Sequence, residues 1–326
     1  MSALWIDAPT GLAGDMLLAA LLDLGVDQAV VESPLAALGL TGRYRLTQQE
    51  ARSAGLRGIR VDVEGLEDQP PHRHWSGIRD QINAAALAPS LKQRVLAVFT
   101  RLAEAEATVH GTPVEAVHFH EVGAIDALVD VVGVCAAIDD LNPARIVCSP
   151  LPAGSGTVAT AHGLLPVPVP AVLELARRHR IPLLQGGDLP TGELVTPTGL
   201  ALVSVLADQF VAPERLVADK VGVGLGRRQH RLVGVRAEAG DQHGAAGGLE
   251  HPGIAIIDAS VHHHPRITPA QAAIIRAHQF DTSEGTDVAL PAPGTHQQQV
   301  STDPGCKRRP AMVAIRLKAD GLDFLH

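Results

Sequence analysis

Over the first 240 residues the apolar positions switch repeatedly between two periods. ALWIDAP (3–9) is a short apolar run ending at Asp7 and Pro9, which predicts a buried strand leading into a turn. From Thr10 to Asp27 the spacing becomes helical: Met16, Leu17, Ala20, Leu21 and Leu24 share one face, and Gly25 supplies the stop. RYRLTQQE and GIRVDVEG predict two strands of alternating polarity. Residues 70–82 pass from a Pro/His loop into a helix, which resumes after a break through SLKQRVLAVFTRLAEAEATVHG. HFHEVGAIDALVDVVG (118–133) reads as a short strand or turn, then a helix to about Leu141. Residues 145–179 read as strand, glycine-rich loop, proline-rich loop and helix, and 189–210 run again from loop to helix. Strands feeding glycine-rich loops feeding helices predict an α/β fold with a mixed sheet in the N-terminal region.

Past residue 240 this alternation stops. DQHGAAGGLEHPG (241–253) reads as a linker, HHHPRITPAQAAIIRAHQF as one helix capped near Thr268, and 291–310 as loop or disorder rich in Pro, Gly and Gln. The expected organisation is one domain over 1–240 and a divergent, partly disordered region over 241–326. No internal repeat is present.

Composition removes several classes. A net charge of −8 speaks against nucleic acid as a partner, because a sequence-independent grip on phosphates needs a cationic excess. With aromatics at 2%, stacking platforms for single strands lose further ground. No stretch reaches the roughly 18 apolar residues of a membrane span. Cys135, Cys148 and Cys306 are odd in number and far apart, which points to a reducing cytoplasm; Cys135, in an apolar helix, and Cys148, at a strand end, read as small buried hydrophobes.

The chemistry gathers in HFHEVGAIDALVDVVG. His118 and His120 point the same way on an extended segment, and two neutral imidazoles suit a borderline metal such as nickel or zinc. Asp126 and Asp130, at i and i+4, share a helix face and repel unless a cation or donors lie between them. The structural alternative makes Asp126 a complement to the helix N-terminus and Asp130 a solvated residue. That alternative suits Asp126 better, since Asp130 is flanked by Val129, Val131 and Val132. Three loops approach helices or strands: Asp7 and Asp15 flank PTGLAG, a turn suited to an anion; Gly154, Ser155, Gly156 and Thr157 form the second; Thr196, Thr198 and Gly199 belong to the third. Each is explained equally well as a tight turn. GVGLG (222–226) lacks the spacing of a dinucleotide fingerprint. His162, beside AGSGT, is a secondary candidate, whereas His72 and His74 in a Pro/Arg loop read as solvated.

Five segments, taken in order, carry a resemblance: DAPTGLAGDMLLAALLDLG, PHRHWSG, HFHEVGAIDALVDVVG, SPLPAGSGTVATAHGLLPVPVPA and TGELVTPTGLAL. Over roughly residues 3–235 the chain resembles the nickel insertion proteins of the LarC family. The resemblance implies insertion of Ni(II) into pyridinium-3,5-bisthiocarboxylic acid mononucleotide, using CTP and Mn²⁺ or Mg²⁺. The product, nickel held by two sulfurs and a ring carbon, serves lactate racemase-type enzymes. On that reading His118 and His120 take nickel, and Asp126 and Asp130 hold the harder cation. Glu121 and His162 are the candidates to accept the ring proton. The phosphate sits on the 154–157 or the 196–199 loop. Two departures stand out: Gly77 occupies a position where an acidic residue is expected, and residues from about 240 do not match the family's C-terminal nucleotide-binding domain. A separate C-terminal chain or a homo-oligomer is therefore an expected partner. The rival readings are a metal-dependent phosphohydrolase and a non-catalytic nickel chaperone.

Overall fold

In β1 (Ala3–Asp7), Leu4 and Ile6 are fully buried while Trp5 and Asp7 stay partly exposed, the alternation of a strand with one covered face. The computed structural model describes residues 3–66, 73–119, 125–186, 189, 191–213, 216–227 and 232–238. His120, Glu121, His72, Cys306 and the expected C-terminal region lie outside the described residues. β1 leads to α1 (Gly14–Asp23) and α2 (Gln28–Ala37), then to a hairpin of β2 (Tyr44–Ser53) and β3 (Leu56–Gly65). Next come β4 (Arg73–His74), α3 (Trp75–Ala84), α4 (Pro89–His110), β5 (His118–Phe119) and α5 (Ile125–Leu141). β6 (Ile146–Cys148) and β7 (Leu151–Pro152) are followed by a second hairpin, β8 (Thr157–Thr160) and β9 (Gly163–Pro166). The described part closes with α6 (Pro170–His179), β10 (Leu183–Leu184), α7 (Pro197–Leu206), β11 (Gln209–Phe210), β12 (Lys220–Leu225) and β13 (Leu232–Glu238).

Seven strands form one mixed sheet in the order β11-β6-β1-β13-β12-β3-β2. β11, β6 and β1 run parallel; β13 pairs antiparallel with both β1 and β12; β2 and β3 pair antiparallel over their full length. The expected α/β class with a mixed sheet is what the chain adopts. The strands at 220–238, between β1 and the first hairpin in the sheet, and the helix α2 are parts that periodicity did not reveal. The Thr157–Pro166 hairpin, expected as loop, is another.

α1 lies across β12, β3 and β13, and α5 packs behind it against α2 and α4. GVGLG earns its glycines here: a Cβ on Gly224 would overlap the Met16 carbonyl oxygen, and one on Gly222 the Ala20 carbonyl oxygen. No side chain fits between helix and strand, so the motif is a packing device rather than a nucleotide loop. Asp23, in the last turn of α1, accepts the Val223 N–H at 2.8 Å and fixes the register of that contact. The N-terminus of α1 meets the first turns of α5, and this junction positions the site.

Candidate functional site

Asp15 stands in the first turn of α1 and Asp126 in the first turn of α5. Each carboxylate accepts the next residue's N–H, Met16 and Ala127 respectively, at 2.8 Å. Both use donors that a helix start leaves unpaired, and both sit at the positive end of a helix dipole. Asp130 follows one turn later on the same face of α5, as its spacing predicts. The three carboxylates line a cavity of about 340 Å³ that also takes in Glu193, Thr196, Thr198 and Arg227. Four carboxylates against one guanidinium give this cavity an excess of acidic side chains. That charge disfavours the anion expected on the PTGLAG turn, because Asp15 itself occupies the helix start.

Asp130 is not the solvated residue of the structural alternative. It is 9% exposed, and its Oδ1 has no hydrogen-bond partner among the described residues. Burial pushes its carboxyl well above the usual range; the charges of Asp15 and Asp126 add to the rise, and Arg227 and the Asp15 backbone N–H oppose it. Asp15 is raised as well, first by burial, against the pull of the Met16 N–H and Arg227. The close approach depends on Gly14, where a Cβ would stand 2.6 Å from Asp130 Oδ2 and 2.8 Å from its Cβ.

The loop candidates divide. Thr196 caps α7, its Oγ1 accepting the Gly199 N–H at 3.1 Å, and Thr196 and Thr198 both face the acidic cavity. Gly199 is pressed against the backbone of Leu12, 2.6 Å from where its Cβ would meet the carbonyl oxygen, so packing accounts for it. In the 154–157 loop, Ser155 pairs with Gly192 through an isolated bridge, and the Gly156 carbonyl accepts the Val167 N–H at 3.0 Å. Gly154, Ser155, Gly156 and Thr157 are not among the residues lining the acidic cavity.

The histidines are brought together in pairs. His162 sits at the tip of the β8–β9 hairpin, its ring centroid 4.9 Å from that of His110 at the end of α4. Both line a second cavity, of about 530 Å³, which shares Glu193 and Pro197 with the acidic one. His118 lies directly opposite His74 in the β4–β5 ladder, with ring centroids 3.6 Å apart. His74 is exposed, as the sequence reading expected, and strand pairing sets it beside His118, which is exposed too. Among the described residues no three His, Cys, Asp or Glu side chains enclose a metal site by themselves.

Cys135 and Cys148 are buried and unbonded, and burial pushes both thiols up to about 12, so neither offers a thiolate at neutral pH. Sequence reasoning missed Glu193, Arg227 and His110 and assigned Asp15 to an anion. TGELVTPTG did contain Glu193, but only the fold shows that it faces the Asp126–Asp130 stripe. Among the described residues no helix is long and apolar enough to cross a membrane.

The family model for nickel insertion protein matches residues 4–263. A protein of Synechococcus sp. (strain JA-3-3Ab) is 47% identical over 229 residues, covering 70% of this chain and 57% of its own length. One of Thermomicrobium roseum is 48% identical over 230 residues, at 70% and 55% coverage. One of Geobacter sp. (strain M21) is 43% identical over 246 residues, at 73% and 63%. Each of the three is named "Putative nickel insertion protein". The chain thus spans somewhat more than half the length of the curated relatives it matches. No solved structure matches it.

Proposed function

Because the chain belongs to the nickel insertion protein family, we propose that it inserts Ni(II) into pyridinium-3,5-bisthiocarboxylic acid mononucleotide in a CTP-dependent reaction. The product is the nickel-pincer cofactor of lactate racemase-type enzymes, made in the cytoplasm. The observation that carries this reading is the acidic cavity lined by Asp130, whose buried Oδ1 has no hydrogen-bond partner among the described residues. A buried carboxylate oxygen without a donor costs about 1–3 kcal/mol or more when charged, and a divalent cation removes that penalty. Mn²⁺ and Mg²⁺ fit the donor set: both prefer oxygen, and Mg²⁺ in particular is bound through one or two carboxylates with waters and substrate phosphates in the remaining positions.

In this reading Asp126 and Asp130 hold the hard cation, with water or substrate in its remaining positions. Thr196 and Thr198 present hydroxyls on the same wall to the mononucleotide phosphate. Nickel, softer, is taken by His118 and His120, with His74 alongside. Forming the nickel–carbon bond requires a ring proton to leave as the carbon electron pair goes to the metal, and Glu121 or His162 accepts it. CTP use belongs with a C-terminal nucleotide-binding part, for which a separate chain is the expected partner; a homo-oligomer of this chain is the other expected assembly.

The test is to incubate the chain with the dithio mononucleotide, NiCl₂, CTP and Mn²⁺, with and without a separately expressed C-terminal domain, and to read the nickelated product by mass spectrometry. Product in the complemented reaction, weak or missing without the domain, supports the proposal. No product in either arm, with phosphate released from simple esters, points to a hydrolase; nickel binding alone points to a chaperone.

A further inference from the structure

His110 and His162 come from elements 52 positions apart in the chain yet meet over one cavity, and each is held in place. Gly111, in the left-handed conformation, ends α4 just after His110. One turn back, Glu106 Oε2 lies 3.2 Å from His110 Nε2. At the hairpin tip the His162 N–H donates to Thr160 Oγ1, which in turn donates to the Gly163 carbonyl, both at 3.1 Å. A carboxylate beside one ring nitrogen, as Glu106 stands beside His110, is an arrangement that orients metal-binding histidines.

Spacing agrees with this assignment. With metal–nitrogen bonds of about 2.0–2.1 Å, two imidazoles in adjacent coordination positions place their ring centroids roughly 4.5–5 Å apart. The observed separation is 4.9 Å. The walls around the pair are largely apolar, with Val109, Val158, Leu165 and Val169 among them, and Glu193 marks the boundary shared with the acidic cavity. Imidazole suits nickel and its borderline neighbours, whereas the carboxylate cavity suits a hard cation.

We propose that His110 and His162, with Glu106 orienting His110, form a second transition-metal locus that holds Ni(II) beside the acidic cavity. Two protein nitrogens leave most of the metal's positions to water, so an incoming ligand with two sulfurs can displace solvent rather than protein and take the ion away. The inference rests on the reading of nickel as the cargo. It also separates two roles for His162: a metal ligand cannot at the same moment accept a ring proton.

The experiment titrates untagged full-length protein with NiCl₂ at neutral pH by calorimetry, and compares His110→Ala, His162→Ala, Glu106→Gln and His118→Ala with the parent. Circular dichroism checks folding. His162 lies exposed at a hairpin tip, so its replacement remains informative even where His110→Ala disturbs α4. Each histidine variant is expected to lose one nickel equivalent or bind it at least tenfold more weakly. Glu106→Gln should weaken it about 10–100-fold, the range for an orienting partner. His118→Ala should keep this equivalent. Unchanged nickel stoichiometry and affinity in both His110→Ala and His162→Ala overturns the inference. If His162→Ala then also abolishes insertion, the proton-acceptor role survives and only the metal locus falls. A parent that binds no nickel removes the inference and the nickel reading together.

Discussion

Asp130→Asn separates a cation site from a scaffold residue. The substitution keeps shape and removes a charge that burial, Asp15 and Asp126 all oppose. The amide oxygen can accept the Asp15 N–H, and the nitrogen presents a donor where an oxygen now has no partner. Relieving an unsatisfied buried charge is worth about 1–3 kcal/mol. At about 2–4 °C per kcal/mol for a domain of this size, the metal-free variant should melt several degrees higher at neutral pH. The sign with pH follows from the raised carboxyl. In the parent, the stability that a protonated Asp130 contributes is fully present below the ordinary value of 3.8 and is lost as pH rises through the higher value in the fold. The advantage of the variant should therefore be small near pH 4 and grow upward. Mn²⁺ should reverse the order, since a ligand at 100 times its Kd stabilises the protein it binds by about 2.7 kcal/mol and the variant binds it poorly. Calorimetry in EDTA from pH 4 to 8, repeated with saturating Mn²⁺, reads both effects. A variant that melts lower than the parent in EDTA and gains the same stability from Mn²⁺ would refute the cation assignment.

Other junctions give sharper steric outcomes. Gly14→Ala should destabilise by about 1–3 kcal/mol through overlap with Asp130, and that loss should shrink in an Asp130→Ala background; urea melts showing strict additivity would refute the contact. Gly224→Val should prevent α1 from seating on β12 and leave little folded protein, which circular dichroism and solubility would show; a native-like variant refutes the packing role of GVGLG. Replacing His118 and His120 by Ala together should remove the nickel equivalent proposed at β5, and an isotherm identical to the parent's excludes these ligands. Complementation with a C-terminal domain should raise CTP-dependent product formation severalfold over the chain alone, and equal rates in both reactions would place nucleotide use within this chain.

Local spacing alone determined a good deal. Helical periodicity located α1, α4 and α5, because the core-facing stripe of a helix repeats within a few residues whatever it packs against. The same 3.6-residue repeat put Asp126 and Asp130 on one face, and five ordered motifs identified the family. What local spacing does not carry is which loops meet. Asp15 joins Asp130 only because α1 crosses α5 at Gly14; Glu193 and Arg227 arrive from α7's approach and the end of β12. His110 faces His162, and His74 faces His118, through a hairpin and a two-strand ladder whose register is a non-local choice. The burial of Asp130 belongs to the same class. A carboxylate on an apolar stripe reads identically whether solvent or another helix covers it, and the tertiary packing of α1 decided that it is covered.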